Sequence, residues 1–167
     1  MADANPSQPQ ASRPHMPGYG LPDATEGQGL LPWRWAVERL EPARHYWLST
    51  TRPDGRPHAM PVWGVWLDDC FYFSTGGESR KARNLAANAH CVVSVEAADG
   101  AVIVEGTAAE VQPETLSQTV FAAYQAKYDW ELDPALGPIF IVQPSVVLGF
   151  SSIPGEFIGS ATRWTFA

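Results

Sequence analysis

Three turns too short to carry a crossover join apolar, β-rich runs in the first two thirds of this chain. Pro53-Asp54-Gly55 separates Arg44–Thr51 from His58–Leu67, Asp68-Asp69 separates His58–Leu67 from Cys70–Thr75, and Ala98-Asp99-Gly100 separates His90–Glu96 from Ala101–Val111. Turns of this kind connect only antiparallel neighbours, because a parallel pair needs a dozen or more linking residues. Ile139–Phe150, interrupted at Pro144, adds a further strand or bent strand, and Ala161–Phe166 a last short one. Helical spacing appears in three places. Trp33, Val37 and Leu40 follow Pro32; Ala82, Leu85 and Ala86 fall within about Ser79 to Asn88; and Leu116, Val120, Ala123 and Tyr124 stripe Pro113–Tyr128. The expected fold is mainly β (α+β), a barrel-like sheet of about six antiparallel strands with two or three helices, and not a βαβ architecture.

Residues 1–32 differ from the rest. They are rich in Pro, Gly, Gln and Ser with almost no apolar periodicity, and the first dozen are expected to be disordered. Pro14–Pro22 carries the anchors Met16, Tyr19 and Leu21 on a stiff backbone; it reads either as an arm packed on the domain or on a partner subunit, or as a flexible leader. The folded domain is placed at 33–167. Its hydrophobic content of 45% is ample for a core, and a formal net charge of −7 disfavours nonspecific binding to nucleic acid.

Cys70 and Cys91 sit in apolar runs without metal-ligand spacing, and His15, His45, His58 and His90 match no metal motif, so buried thiols and no metal are expected. No run of about 18 apolar residues suggests a membrane span, and no apolar signal core opens the sequence. A cytoplasmic protein is the expectation.

One local rule is broken. Ser79 is a good N-cap, yet Arg80, Lys81 and Arg83 crowd the first helical turn, where the helix dipole favours anions. An external phosphate held by hydroxyls, helix N–H groups and these cations resolves the conflict; a solvated turn, or pairing with Glu78 and other acids, is the alternative. Neither GxxxxGK[ST] nor a GxGxxG after a strand occurs, so a Walker or Rossmann site is not indicated. Upstream, the strand His58–Trp66 is apolar on both faces and carries Pro61 and Gly64, which indicates a bulge, the close approach of something planar, or simply an irregular strand.

Taken together, Ser49–Pro57, Pro61-Val62-Trp63, Phe71–Thr75, Ser79–Leu85 and Val104–Ala108 resemble, in order and spacing, the split β-barrel flavoproteins related to pyridoxamine 5′-phosphate oxidase. The resemblance is closer still to their flavin- and deazaflavin-dependent oxidoreductase branch. It implies a homodimer with cofactor sites at the interface. Arg80 and Lys81 then correspond to phosphate ligands, with Ser79 capping or touching the same group. Ser74 and Thr75 correspond to residues beside the phosphate or ribityl chain, and Pro61, Val62 and Trp63 to the strand along which the ring lies; Asn84 and Arg83 are further candidates. The C-terminal residues that bind pyridoxal phosphate in the true oxidases have no clear match, which argues against that activity.

The function so implied is an oxidoreductase that uses FMN or the deazaflavin coenzyme F420 for hydride transfer with a small, apolar, conjugated substrate. The branch resemblance favours the deazaflavin, whose polyglutamate tail would suit Arg44, Arg52 and Arg56. Trp63, Trp66 and Trp164 are candidate cleft residues, and Tyr46, His58 and Tyr128 candidate proton donors. The alternatives are a non-catalytic haem, tetrapyrrole or lipid-binding module, for which His58 would be the axial ligand, and a flavin-storage or electron-transfer protein.

Overall fold

The computed structural model describes residues 8–21 and 29–166. Nine strands, all paired antiparallel, form one sheet: β1 (Gln10–Ser12), β2 (Tyr46–Thr51), β3 (Pro57–Val62), β4 (Val65–Leu67), β5 (Cys70–Ser74), β6 (His90–Ala97), β7 (Gly100–Val111), β8 (Ile139–Ser151) and β9 (Thr162–Thr165). The main path runs β1-β9-β8-β7-β6-β2-β3. The helices are α1 (Trp33–Leu40), α2 (Arg80–Ala87), α3 (Gln118–Tyr128) and the short α4 (Phe157–Ser160), with 3-10 turns at Pro113–Thr115 and Pro134–Leu136. The α+β split barrel implied by the sequence is the fold observed, with more short strands than the six anticipated.

The split originates in β8. One edge of this 13-residue strand pairs with β7 throughout; its other edge pairs first with β5, through Ile139–Val142, and then with β9, through Val146–Gly149. The changeover falls at Pro144, which cannot donate a ladder hydrogen bond. There the register with β7 shifts between Glu105 and Gly106, and the Ser145 hydroxyl donates to the Glu105 carbonyl. A side chain at Gly106 would meet the Gln143 carbonyl at 2.3 Å, so only glycine lets the two strands close on the bulge.

Period-2 alternation sends Tyr46, Leu48, Phe71, Phe73, Val93, Val102, Val104, Val142 and Trp164 inward, against Ala36 and Leu40 of α1 and Ala82 and Leu85 of α2. A second cluster forms where Val120, Tyr124 and Tyr128 of α3 pack on Val65 and Ile139. Both cysteines are free thiols; Cys91 is buried as expected whereas Cys70 is only half-buried, and burial pushes the Cys91 thiol up to about 12.

Three expectations change. Gln10–Ser12, within the stretch expected to be disordered, adds an edge strand to β9, and Arg13 beside it is buried and donates to the Gly159 and Ala161 carbonyls. The helix expected over Pro113–Tyr128 is broken: Leu116 is extended, and Ser117 caps a new helix by accepting from the Thr119 N–H. The strand expected over His58–Leu67 ends at Val62 and resumes as β4 at Val65. Gly64 lies in that gap against the Phe71 ring, where an added side chain would come within 2.3 Å of two ring carbons. The planar group that approaches this glycine is therefore one of the chain's own phenylalanines.

Candidate functional site

The start of α2 is built as its sequence requires. Ser79 is extended, and its hydroxyl accepts from the Ala82 N–H at 3.2 Å and lies 3.2 Å from the Thr75 hydroxyl at the end of β5. The loop closes through a bond from the Ser79 N–H to the Gly76 carbonyl at 2.9 Å. The sequence-predicted residues Ser74, Thr75, Ser79, Arg80 and Lys81 thus gather around one helix N-terminus. Among the described residues, carboxylates pair with Arg34, Arg39 and Arg56, and none lies within ion-pair distance of Arg52, Arg80, Lys81 or Arg83. Glu78 is exposed and does not neutralise the cations beside it. Burial lowers the Lys81 pKa below that of an ordinary lysine.

The cation cluster extends to the β2–β3 hairpin. Burial, followed by the charges of Arg52, Lys81 and Arg80, holds the His58 imidazole below its ordinary range, so all three cations act on this one ring. The His58 Nδ1 and Arg52 Nε are buried without a hydrogen-bond partner. Thr50, directly across the ladder from His58, accepts at its hydroxyl from the Asn84 amide at 3.0 Å. Asn84 is fully buried and its Oδ1 has no partner. Thr50 and His58 are the members of this group that helix-start reasoning passes over; their signal was cross-strand register, which a hairpin with a Pro-Asp-Gly turn fixes.

Of Pro61, Val62 and Trp63, only Trp63 reaches the space beside Ser74 and Thr75. Pro61 and Trp63 are exposed, whereas Val62 points into the core. The end of α3 holds this segment. Tyr124 donates to the Trp63 carbonyl at 2.9 Å, and the Tyr128 hydroxyl accepts from the Gly64 N–H at 2.9 Å while facing the Gly64 and Arg44 carbonyls. Lys127 donates to the Tyr46 hydroxyl at 2.7 Å and to the Gly64 carbonyl at 3.2 Å. Burial and then Arg44 bring its pKa down to about 8, with Glu41 opposing.

Between the α2 start and Trp63 opens a cavity of about 300 Å3, lined by Trp63, Ser74, Thr75, Gly76, Tyr124, Trp130, Leu132, Asp133 and Leu136. It joins three of the predicted residues to a wall from the segment after α3, which sequence periodicity did not single out. Two cleft candidates are corrected: Trp66 and Trp164 are core residues, with Trp164 1% exposed and packed edge-on against Trp33. Two proton-donor candidates are corrected as well. Tyr46 is fully buried and donates to the Leu40 carbonyl, and Tyr128 is buried and engaged with backbone; burial raises the pKa of both. Arg56 pairs with Asp54 and Arg44 donates to the Lys127 carbonyl, so Arg52 alone of the three tail-site candidates joins the cation cluster.

Among the described residues, no group of three or more His, Cys, Asp or Glu side chains is placed to hold a metal ion, and no helix is long and apolar enough to cross a membrane.

Residues 36–146 match the pyridoxamine 5′-phosphate oxidase family. Solved structures of the same fold include an F420 reductase, 26% identical, which covers 66% of this chain and 93% of its own with a TM-score of 0.55. They also include the FAD binding protein from Mycobacterium smegmatis, at 20% identity, 81% and 98% coverage and a TM-score of 0.56. A third is HutZ, the heme storage protein from Vibrio cholerae, at 18% identity, 67% and 86% coverage and a TM-score of 0.51. No curated protein matches the sequence.

Proposed function

Because this chain belongs to the pyridoxamine 5′-phosphate oxidase family, we propose that it is an oxidoreductase working through a phosphorylated flavin-type cofactor, FMN or the deazaflavin F420. The observation that carries the reading is the pair of cations Arg80 and Lys81 at a capped helix N-terminus, joined by Arg52 of the β2–β3 hairpin in the field on His58, all three without a carboxylate partner among the described residues. Uncompensated cations at the positive end of a helix cost stability unless an anion joins them, and a phosphate fits that need. The buried, unpartnered Nε of Arg52 and Nδ1 of His58 fit the same group.

In this reading Arg80, Lys81 and Arg52 hold the phosphate, and the Thr75 and Ser79 hydroxyls and the helix N–H groups bond its remaining oxygens. Ser74 borders the adjoining chain of the cofactor. Pro61, Val62 and Trp63 offer backbone to the ring, with Trp63 fixed from behind by Tyr124 and Tyr128. Asn84 positions Thr50 and the floor of the site. The cofactor, when bound, supplies hydride exchange at its ring; the chain binds it, orients it and keeps water from one of its faces.

A homodimer with the site at its interface is part of the proposal. Trp47, Met60 and Pro61 are exposed on β2 and on β3, a strand paired on one edge only among the described residues, and such an apolar edge calls for a partner. A cytoplasmic location and an arm spanning residues 1–32 remain parts of the same reading.

The test is titration of the purified protein with FMN and, separately, with F420, followed by quenching of its tryptophan fluorescence. Micromolar binding of one cofactor, lost in Arg80→Ala/Lys81→Ala, is the expected result. If neither cofactor binds, the phosphate reading is wrong, and loading with haem then decides whether His58 serves as an axial ligand.

A further inference from the structure

The cavity beside Trp63 has a polarity opposite to that of the cation cluster. Trp63, Trp130 and Leu136 on its walls are 44%, 51% and 66% exposed, an unusual concentration of large apolar surface around one small opening. Its only ionisable carboxylate is that of Asp133, whose Oδ1 accepts from the Ala135 N–H to cap the 3-10 turn at Pro134. No Lys, Arg or His is among the lining residues, and the adjoining hollow of about 650 Å3, which shares Trp130, Leu132, Asp133 and Leu136, adds Glu131 and again no cation. The remaining polar lining is Ser74, Thr75 and the Tyr124 hydroxyl, the last committed to the Trp63 carbonyl. The cavity therefore offers flat aromatic walls, a few neutral hydrogen-bonding groups and one negative charge.

Resting on the cofactor reading above, we infer that this cavity is the substrate pocket, and that it takes a planar, neutral or cationic ring system while rejecting anionic ones. The volume of about 300 Å3 is at the lower limit of small-molecule pockets and accommodates one or two fused rings. Trp63 and Trp130 supply stacking faces, and the exposed carboxylates of Asp133 and Glu131 set the charge preference by repelling a like charge brought beside them. The site is thus divided by charge: phosphate at the α2 end, uncharged or positive ring at the α3 end. Trp63, Ser74 and Thr75 line the cavity and also border the cofactor in the cofactor reading, so the substrate is assigned to the Trp130, Asp133 and Leu136 side, continuous with the adjoining hollow, while Thr75 meets the Ser79 hydroxyl at the phosphate end.

The experiment compares two probes of equal ring size, neutral 2-methyl-1,4-naphthoquinone and anionic 1,4-naphthoquinone-2-sulfonate, by quenching of tryptophan fluorescence. Each is titrated with and without saturating FMN or F420, into the unaltered chain, Asp133→Asn and Leu136→Trp. The sulfonate is expected to bind about two- to fivefold weaker than the neutral quinone. Asp133→Asn, which keeps the capping oxygen, narrows that ratio, and Leu136→Trp, which fills the cavity, removes quinone binding but leaves cofactor binding unchanged. Equal affinity for both probes, quinone affinity unaffected by Leu136→Trp, or displacement of the quinone by the cofactor itself overturns the inference while leaving the cofactor reading standing. Probe binding with the expected preferences in a chain that takes up neither cofactor upholds the pocket and overturns the cofactor reading instead.

Discussion

The indole of Trp63 lies flat on the ring of Tyr128, with centroids 4.7 Å apart and planes 6° from parallel. This contact joins the break between β3 and β4 to the last turn of α3, 65 residues away by the numbering of the two rings. Stacking orients the indole, and the Tyr128 hydroxyl holds the Gly64 N–H that follows it. A residue on the lip of the proposed site is thus fixed by a helix on the far side of the strand gap.

Tyr128→Phe separates these two roles. The phenyl ring preserves the stack, but the buried Gly64 N–H loses its acceptor. An unsatisfied buried donor costs about 1–3 kcal/mol. The variant is expected to unfold at lower denaturant by that amount, with unchanged near-ultraviolet tryptophan dichroism. Equal stability would mean that water replaces the hydroxyl.

Lys127 gives a pH signature. Its pKa is brought from an ordinary 10.5 to about 8 by burial and then by Arg44, so the folded protein sheds this proton before the unfolded chain does. Between about pH 8 and 10.5 the unfolded state binds more protons here, and stability contributed by this group rises with pH. Below pH 8 the charged form is carried at full cost. Its two acceptors keep other partners, because the Tyr46 hydroxyl donates to the Leu40 carbonyl and Gly64 O faces the Tyr128 hydroxyl. Lys127→Met is therefore expected to lose this rise, which appears as a slope in the difference between the two stability curves. A flat difference from pH 7 to 10.5 would rule out the depressed pKa.

Much of this architecture is legible locally and some of it is not. The conflict between Ser79 and the cations behind it is visible in five residues, because capping and the helix dipole act within one turn. The hairpins are equally local: Asp68 and Asp69, both at positive φ, make the two-residue turn between β4 and β5 that their sequence suggests. Pro61 and Gly64 signalled an interruption, but not that Phe71 would fill it, which is a tertiary fact. Gln10–Ser12 is polar and finds its partner more than 150 residues later in β9, so no local pattern marks it. Trp130, Asp133 and Leu136 lie in an aperiodic connection, and their convergence on Trp63 follows only from where α3 ends.

The cations at α2 lead to a prediction with opposite signs for stability and binding. Arg80→Gln/Lys81→Gln removes positive charge from the positive end of the helix, where each cation costs roughly 0.3–1 kcal/mol without a counter-charge. Lys81 also loses the burial cost reflected in its lowered pKa. The ligand-free variant is expected to be as stable as the unaltered chain or slightly more so, while its affinity for FMN or inorganic phosphate falls by about tenfold or more. A variant that is destabilised without ligand would show that these side chains serve the fold and not an anion.

Two glycines near the site are expected to respond oppositely to the same substitution. Gly64→Ala places a methyl 2.3 Å from two carbons of the fully buried Phe71 ring and 2.7 Å from the Tyr72 carbonyl, and neither backbone nor a packed core ring yields easily. Overpacking of this kind costs typically about 1–3 kcal/mol. The strand gap must shift to absorb it, and Trp63, whose carbonyl and ring are held by Tyr124 and Tyr128, shifts with it. Gly77→Ala meets only the Pro138 side chain, at an ordinary 3.6 Å, and its backbone has no positive φ. There the alanine narrows the unfolded ensemble without straining the folded one and is expected to be neutral or to stabilise by about 0.4–1 kcal/mol. Denaturant unfolding of both variants, with cofactor titration of each, measures the contrast. Loss of cofactor affinity in Gly64→Ala, together with full affinity in Gly77→Ala, would tie the ring-binding lip to the β3–β4 gap rather than to the loop before α2.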